Sequence, residues 1–279
     1  MAVLFGLLAA ALYGAADFCG GVAARRSPVF AVTVLSQLAG LLVLLVILGA
    51  THWRLTPHDV LLGALSGICA GSGLALFYHA LAIGRMGVVS PITAVLAAAV
   101  PVAASFVRGE HLHATQVTGI AVALVAVVLI SASFEEGAAG AREIATKGVR
   151  EALVAGVVIG GFILFLSGTS RASGLAAILP ARAASVLVLL VIAAAIRGRL
   201  KTPAPTLPLI ALCGVLDMSA NAFFVLSARA GYVSIAAVLT GLYPASTVLL
   251  AWLLLRERLQ RVQRWGVVLA LAGVALIAS

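Results

Sequence analysis

Within the apolar segments of this sequence, a carboxylate and an amide lie close enough along the chain to act together. Asp217 and Asn221 occur in the segment Leu216-Asp-Met-Ser-Ala-Asn221, and residues four apart lie on one face of a helix. A carboxylate beside an amide can bind an ammonium group, and a protonatable Asp can also carry a proton. The structural alternative is a buried ion pair or a hydrogen bond between helices.

Two further charged side chains lie inside apolar segments, where each costs about 2.5–3.5 kcal/mol to insert into a bilayer. Arg182 could hold a substrate carboxylate or neutralise Asp217, and both roles coexist if a substrate competes for the partner. Asp17 lies late in the first apolar segment. It could bind substrate, carry a proton, or pair with Arg25 or Arg26 near the end of the helix.

A third group of candidates consists of uncharged side chains in the same kind of segment. We expect Gln37, Tyr78 and Tyr243 to contribute to a substrate site. His79 is a candidate proton carrier because the unperturbed imidazole titrates near neutrality. The alternative for His79 is an ordinary solvated or hydrogen-bonded group near the end of a span.

These candidates must be positioned by membrane-spanning helices, because the composition excludes a water-soluble chain. Hydrophobic residues make up 63% of the 279 residues and charged residues only 10%, whereas soluble domains have roughly 25% charged residues. Stretches of about 20 mostly apolar residues, the length that crosses a bilayer, recur from end to end. We predict ten spans, at Val3–Val22, Val29–Ala50, Val60–Ile83, Val88–Val107, Ala114–Ala132, Ala152–Thr169, Leu175–Ile196, Leu207–Ala228, Val233–Leu255 and Val262–Ala278.

The rest of the composition argues against several classes of function. The net charge of +9 comes from Arg and Lys residues that lie mainly between the spans, where positive charge sets topology and contacts lipid head groups, so we expect no nucleic acid partner. Cys19, Cys69 and Cys213 lack the paired spacing of a metal or redox site. Without a Walker-type loop, His-Glu-x-x-His or Gly-x-Ser-x-Gly motif, we expect no enzyme, cofactor or metal.

The two halves of the chain resemble each other. The segment with Glu110, Leu112, Gln116 and Gly119 recurs as Glu257, Leu259, Gln263 and Gly266, at an offset of 147 residues. Further upstream the offset is 146, at which Gly14 and Arg25 match Gly160 and Arg171. We interpret Glu110 and Glu257 as helix caps or ion-pair partners at the membrane edge.

This repeat predicts the domain organisation. Residues 1–135 form a first five-helix repeat, residues 136–149 a polar linker, and residues 150–279 a second five-helix repeat. Because five is odd, the second repeat enters the membrane from the opposite side, which makes the repeats inverted. Inverted repeats are the architecture of many secondary transporters, whose substrate sites lie near the midplane between the halves.

Short motifs in a fixed order resemble the EamA family of the drug/metabolite transporter superfamily. The matching segments are Tyr13-Gly-Ala-Ala-Asp17-Phe, Ala80-Leu-Ala-Ile-Gly, Arg108-Gly-Glu110, Leu242-Tyr-Pro244 and Arg256-Glu257-Arg-Leu259. The resemblance covers nearly the whole chain. It implies an all-α membrane protein that moves small metabolites, such as amino acids or organic cations, across the cytoplasmic membrane. We expect an exporter that works by alternating access.

The expected partners follow from that interpretation. They are a small-molecule substrate, the lipid bilayer and a proton or other coupling ion, with the chain acting as a monomer or homodimer. The alternative is a non-transporting membrane scaffold or receptor, or a lipid-handling membrane protein. Ten spans place both termini on one side; the resemblance implies the inside, whereas the positive joints at 197–201 and 256–264 favour the outside.

Two runs of glycine at four-residue spacing predict close helix packing. One run is Gly63, Gly67 and Gly71, and the other is Gly156 and Gly160. Small residues at this spacing let helix backbones approach each other in a membrane.

Overall fold

The computed structural model describes residues 1–24, 26–49, 53–83, 86–107, 109, 113–131, 148–195, 202–243, 245–246, 249–250, 253 and 261–278. Every regular element in these ranges is helical. The α-helices are α1 (Ala2–Ala24), α2 (Val29–Gly49), α3 (Pro57–Ile83), α4 (Met86–Val107), α5 (Ala114–Ser131), α6 (Val149–Ser167), α7 (Ile178–Ala195), α8 (Leu207–Ala230), α9 (Val233–Thr240) and α10 (Arg261–Ala278). Short 3-10 helices at Arg171–Ala177 and Ala204–Thr206 precede α7 and α8.

Several of these helices are long and apolar enough to cross a membrane. Six such spans occur in the described ranges, at Ala2–Gly20, Phe30–Gly49, Pro57–Phe77, Val149–Ser167, Arg171–Ala195 and Ala204–Ala230. Shorter apolar helices occur at Ile92–Ala104, Ala114–Leu129 and Arg264–Ile277. Large apolar side chains such as Leu42, Val46 and Leu187 are exposed on the outside, where lipid is their natural solvent. The chain is therefore a multi-pass helical membrane protein.

The third helix begins three residues earlier than its predicted span because a cap fixes its start. Thr56 Oγ1 accepts a hydrogen bond from the Asp59 N–H at 3.2 Å, and Asp59 Oδ2 accepts one from the Thr56 N–H at 3.0 Å. This reciprocal pair is a capping box. Pro57 occupies the first helical position, where no N–H is needed.

The ninth predicted span, Val233–Leu255, is wrong as a continuous helix. Helix α9 ends at Thr240, and a turn follows at Gly241 and Leu242. The Gly241 N–H donates to the Ala237 carbonyl at 2.8 Å, which closes the last turn. The sequence holds the physical reason: a proline at position 244 has no N–H to donate to the carbonyl of Thr240.

Helices from the first half of the chain pack on helices from the second half, and the main contacts occur in symmetric pairs. In each such pair, one contact joins two helices, and the helices five places away in chain order make the matching contact. Helix α1 packs along α8, and α6 packs along α3. Likewise α2 packs on α8 and α7 on α3, while α1 contacts α9 and α6 contacts α4. Helices α5 and α10 pack on each other. The core is therefore shared by both halves, and neither half is packed separately.

The glycine runs pack as predicted. A Cβ atom at Gly67 would overlap the backbone of Ala181 on α7, and one at Gly63 would lie 2.8 Å from the Ala177 carbonyl oxygen. On α6, a Cβ at Gly156 would lie 2.8 Å from the Thr93 carbonyl oxygen of α4. Glycine is required at these positions because the partner backbone occupies the space of a side chain. The run on α3 thereby fixes how α7 is placed, and α7 carries Arg182.

Candidate functional site

An ion pair between α7 and α8 forms the centre of the candidate site. Arg182 Nη2 donates to Asp217 Oδ2 at 2.6 Å. The Arg182 side chain is 7% exposed, whereas that of Asp217 is 31% exposed. Both residues lie inside apolar spans, so the internal ion pair that was one alternative from the sequence is present. One member is sealed in protein and the other remains accessible.

Asn221 joins this pair from the same face of α8. Its amide nitrogen donates to the Asp217 carbonyl oxygen at 2.8 Å and lies 3.4 Å from Asp217 Oδ2. The predicted four-residue geometry of Asp217 and Asn221 is therefore confirmed. Asn221 is buried, so its amide orients the carboxylate from within the protein while the outer side of that carboxylate stays open.

Helix α1 brings a second carboxylate to the ion pair, because α1 packs along α8. Asp17 lies within electrostatic range of Asp217, and Tyr13, one turn earlier, lies within range of Asp17, Asp217 and Arg182. The Asp17 residue is exposed in the folded chain.

Asp17 lies about two helical turns before the end of α1. Helix α1 continues to Ala24, seven residues beyond Asp17. No ion pair between Asp17 and Arg26 is present among the described residues, and Arg25 lies outside them.

Small and apolar side chains close the site on one side. Ala16 and Cys19 of α1 pack with Cys213 of α8 in a buried cluster. Cys213 lies within electrostatic range of both Asp17 and Asp217. Where α8 meets α2, a Cβ atom at Gly40 of α2 would lie 2.8 Å from the Gly214 carbonyl oxygen. Close packing at both contacts fixes the rotation of α8 and therefore the direction of its polar residues.

The remaining predicted site residues are placed less centrally. Gln37 lies on α2 and is buried, and its Oε1 has no hydrogen-bond partner among the described residues. His79 is exposed on α3, and Tyr243 is half-buried in the helical residues after the Gly241 turn. Tyr78 lies in α3, but its side chain is outside the described residues. The structure thus joins Arg182, Asp217 and Asn221 and brings Asp17 within electrostatic range of Asp217.

Some predictions fall outside the described residues. Glu110, Glu257 and the linker between 136 and 147 are among them. Gln116, which matched Gln263 in the repeat, accepts a hydrogen bond at its side-chain oxygen from the His113 N–H at 3.0 Å, directly before α5. This bond is half of a capping box, so the Gln in the first half has a structural role at the start of a helix.

The sequence interpretation missed a polar cluster around the buried Asp59 that joins three helix ends. We call it the edge network; it consists of Thr56, Asp59, Ser170, Ser173 and Arg229. Asp59 is fully buried and accepts from the Ser170 N–H at 2.7 Å and from Ser170 Oγ at 2.9 Å. Arg229 Nη2 donates to the Ser170 carbonyl oxygen at 3.0 Å. The Thr56-x-x-Asp59 capping signal was visible in the sequence, but its partners were not.

A cavity of about 430 Å³ lies near the edge network. It is lined by His58, Leu62, Leu164, Phe165 and Gly168, none of which belongs to the ion-pair cluster.

Comparison with known proteins agrees with this architecture. A crystal structure superposes on the chain with a TM-score of 0.80 at 18% identity, over 99% of this chain and 98% of that one, which shows a shared fold. An uncharacterized protein from Methanocaldococcus jannaschii is 28% identical over 134 residues, which are 47% of this chain and 97% of that protein. The model of the EamA-like transporter family matches residues 1–132 and 146–279. With both halves matched, the chain belongs to the EamA-like transporter family.

Proposed function

We propose that this protein is a secondary transporter that exports a small metabolite, such as an amino acid or an organic cation, across the cytoplasmic membrane. The observation that carries the proposal is the ion pair of Arg182 and Asp217 between two membrane-spanning helices, with Asp217 still 31% exposed. If the ion pair served helix packing alone, we would expect both of its side chains to be buried. An accessible carboxylate inside a membrane protein marks a wet pathway.

The chemistry of the pair suggests how a solute is held. An ammonium group of the solute would bind at the carboxylates of Asp217 and Asp17, and a solute carboxylate would bind at the guanidinium of Arg182. Such a solute competes for the ion pair, so binding replaces one set of charge contacts with another. That exchange limits the desolvation cost that makes buried charge expensive.

A proton is the coupling ion that this arrangement favours. Two carboxylates, Asp17 on α1 and Asp217 on α8, lie within electrostatic range of each other, and a carboxylate can carry a proton. We propose that protonation of one carboxylate and binding of a cationic group to the other alternate during the cycle. His79 is exposed on α3 and would act as a further proton carrier.

The proposed scaffold is ten spans in two inverted five-helix repeats, residues 1–135 and 150–279, joined by a linker. The symmetric pairs of helix contacts support it, such as α1 on α8 and α6 on α3. The separate family matches to 1–132 and 146–279 support it, as does a relative whose length corresponds to one half of this chain. Alternating access would then arise when the two halves exchange conformations.

Transport by purified protein in liposomes tests this function. The probes are labelled L-amino acids, glycine betaine, choline and tetraethylammonium, each with and without an imposed pH gradient. We expect at least one probe to accumulate only when the gradient is present and only in liposomes that contain the protein. Absence of flux for all probes, with or without a gradient, would instead favour the non-transporting scaffold or receptor.

A further inference from the structure

Tyr13 carries a buried polar atom with no hydrogen-bond partner in the part of the chain that the structure describes. The hydroxyl of Tyr13 is buried, and it has no hydrogen bond among the described residues. Arg182 Nε is also buried and has no hydrogen-bond partner among the described residues, and the whole Arg182 side chain is only 7% exposed. Buried polar groups are nearly always hydrogen-bonded, so each exception calls for an explanation.

The two unpartnered groups belong to one place in the molecule. Tyr13 lies within electrostatic range of Arg182, Asp217 and Asp17. Its ring packs against the apolar cluster that contains Met218 and Leu44, and Met218 follows Asp217 in the chain. The ring thus packs in the core, and Tyr13 is within electrostatic range of both members of the ion pair.

The chemistry of the two groups is complementary to one kind of ligand atom. Arg182 uses Nη2 for Asp217, and its Nε–H can only donate. A tyrosine hydroxyl can donate as well. We infer that Tyr13 is a substrate-contacting residue whose hydroxyl, together with Nε of Arg182, binds an oxygen acceptor of the transported solute, such as a carboxylate. This inference rests on the proposed transport function and specifies one side of the same site.

The symmetry of the fold provides an independent argument. At the offset of 146 residues, the position of Tyr13 corresponds to Ile159 of α6. Ile159 packs its Cγ1 2.7 Å from where a Cβ of Gly73 would lie, so the equivalent interface is filled and apolar. A hydroxyl is therefore not needed to pack these helices, and the ring of Phe would serve the scaffold equally well.

Removal of the hydroxyl tests whether it has a structural partner. Tyr13→Phe should leave the midpoint of thermal unfolding without solute unchanged or raise it by about 2–4 °C, since an unsatisfied buried group is lost. Tyr232→Phe is the matched control, because Tyr232 is 39% exposed. A drop in the midpoint for Tyr13→Phe but not for Tyr232→Phe would mean that the hydroxyl is bonded in the folded protein and would overturn the inference.

Transport kinetics test the contact with solute. Glycine betaine and choline share a quaternary ammonium group, but only betaine has a carboxylate, so they are compared together with labelled L-amino acids. We expect Tyr13→Phe to raise the KM for the carboxylate-bearing probes about tenfold or more, the loss typical of a hydrogen bond to a charged group, while choline uptake, if present, is unchanged. Tyr232→Phe should behave as wild type.

Three results would count against this role. Wild-type flux with the same KM in Tyr13→Phe would refute the Tyr13 contact and leave the transport function standing. Flux of choline but of no carboxylate-bearing probe would refute a solute carboxylate as the partner of Tyr13, because choline offers only a hydroxyl oxygen. No flux in wild type would refute the transport function and the Tyr13 contact together.

Discussion

Arg182 and Asp217 are separated by 35 residues in sequence and joined by a hydrogen bond of 2.6 Å between α7 and α8. The pair is asymmetric in its environment, since the guanidinium is sealed and the carboxylate is partly open. Replacing Asp217 alone therefore leaves the buried guanidinium of Arg182 without its hydrogen-bonded partner. Under the proposed function, a solute would reach the pair from the side of the open carboxylate.

The first prediction concerns the stability of this pair. Asp217→Asn should destabilise the protein in detergent by about 2–4 kcal/mol, because breaking a buried pair leaves the Arg182 charge uncompensated. Adding Arg182→Gln to that variant should recover a large part of the loss, as measured by thermal unfolding. Additive losses in the double variant would show that the two side chains do not depend on each other.

The second prediction concerns proton coupling at the same carboxylate. Asp217→Asn keeps the shape of the side chain but cannot exchange a proton, so accumulation against a gradient should be abolished while the pH gradient itself persists. Glu151→Gln in the first turn of α6 is the matched control and should retain accumulation. Unchanged accumulation in Asp217→Asn would assign Asp217 a structural role and make Asp17→Asn the next variant to measure.

The third prediction distinguishes charge from geometry at Arg182. Arg182→Lys keeps the positive charge beside Asp217 but removes the Nε donor and the fork geometry. It should therefore unfold closer to wild type than Arg182→Gln does, yet show a KM for carboxylate-bearing solutes raised about tenfold or more. The measurement is liposome uptake of betaine or the best amino acid found. A wild-type KM in Arg182→Lys would place the solute carboxylate elsewhere.

The fourth prediction concerns the close approach of α3 and α7. Gly67→Ala should lower stability by about 1–3 kcal/mol or more, because the new methyl group overlaps the backbone of Ala181. Gly49→Ala is the control, since nothing lies within 4 Å of a Cβ there. Because Ala181 adjoins Arg182, Gly67→Ala should also reduce transport. Equal stability of the two variants would contradict the packing of α7 against this face of α3.

The fifth prediction concerns the edge network. Asp59 is fully buried and accepts hydrogen bonds from Thr56 and Ser170, so Asp59→Ala leaves several donors unsatisfied and should cost about 3 kcal/mol. A cycle with Ser170→Ala should show strong non-additivity in thermal unfolding, since both changes remove the same bonds. Additive effects would mean that the two residues act independently.

The two halves of the chain pack symmetrically, but the candidate site is not symmetric. At the offset of 146 residues, Asp17 corresponds to Ile163 and Asp217 to Gly71. The interface of α6 with α3 is therefore closed by apolar and small residues, while the equivalent interface of α1 with α8 holds the charged groups. One interface serves packing, and the other is free to serve binding.

The sequence by itself indicated that the chain lies in a lipid bilayer and that its two halves repeat. It also indicated which few residues could bind a solute or a proton. A bilayer makes every charged side chain within a span expensive, so Asp17, Arg182 and Asp217 stood out against an apolar background. Local periodicity also placed Asn221 beside Asp217, because residues four apart share a helix face. The proline at position 244 explains why α9 ends, although the sequence predicted one long span at Val233–Leu255.

Only the tertiary structure decided which of these residues meet. Periodicity describes one helix at a time and carries no information on how that helix is rotated against a neighbour. The rotation is set by contacts between helices, here by Gly67 against Ala181 and Gly40 against Gly214, which are far apart in sequence. Those contacts position α7 and α8, which carry Arg182 and Asp217. The packing of α1 along α8 brings Tyr13 within electrostatic range of the pair. Tertiary packing also brings Asp59 to Ser170, which no property of either segment alone could have indicated.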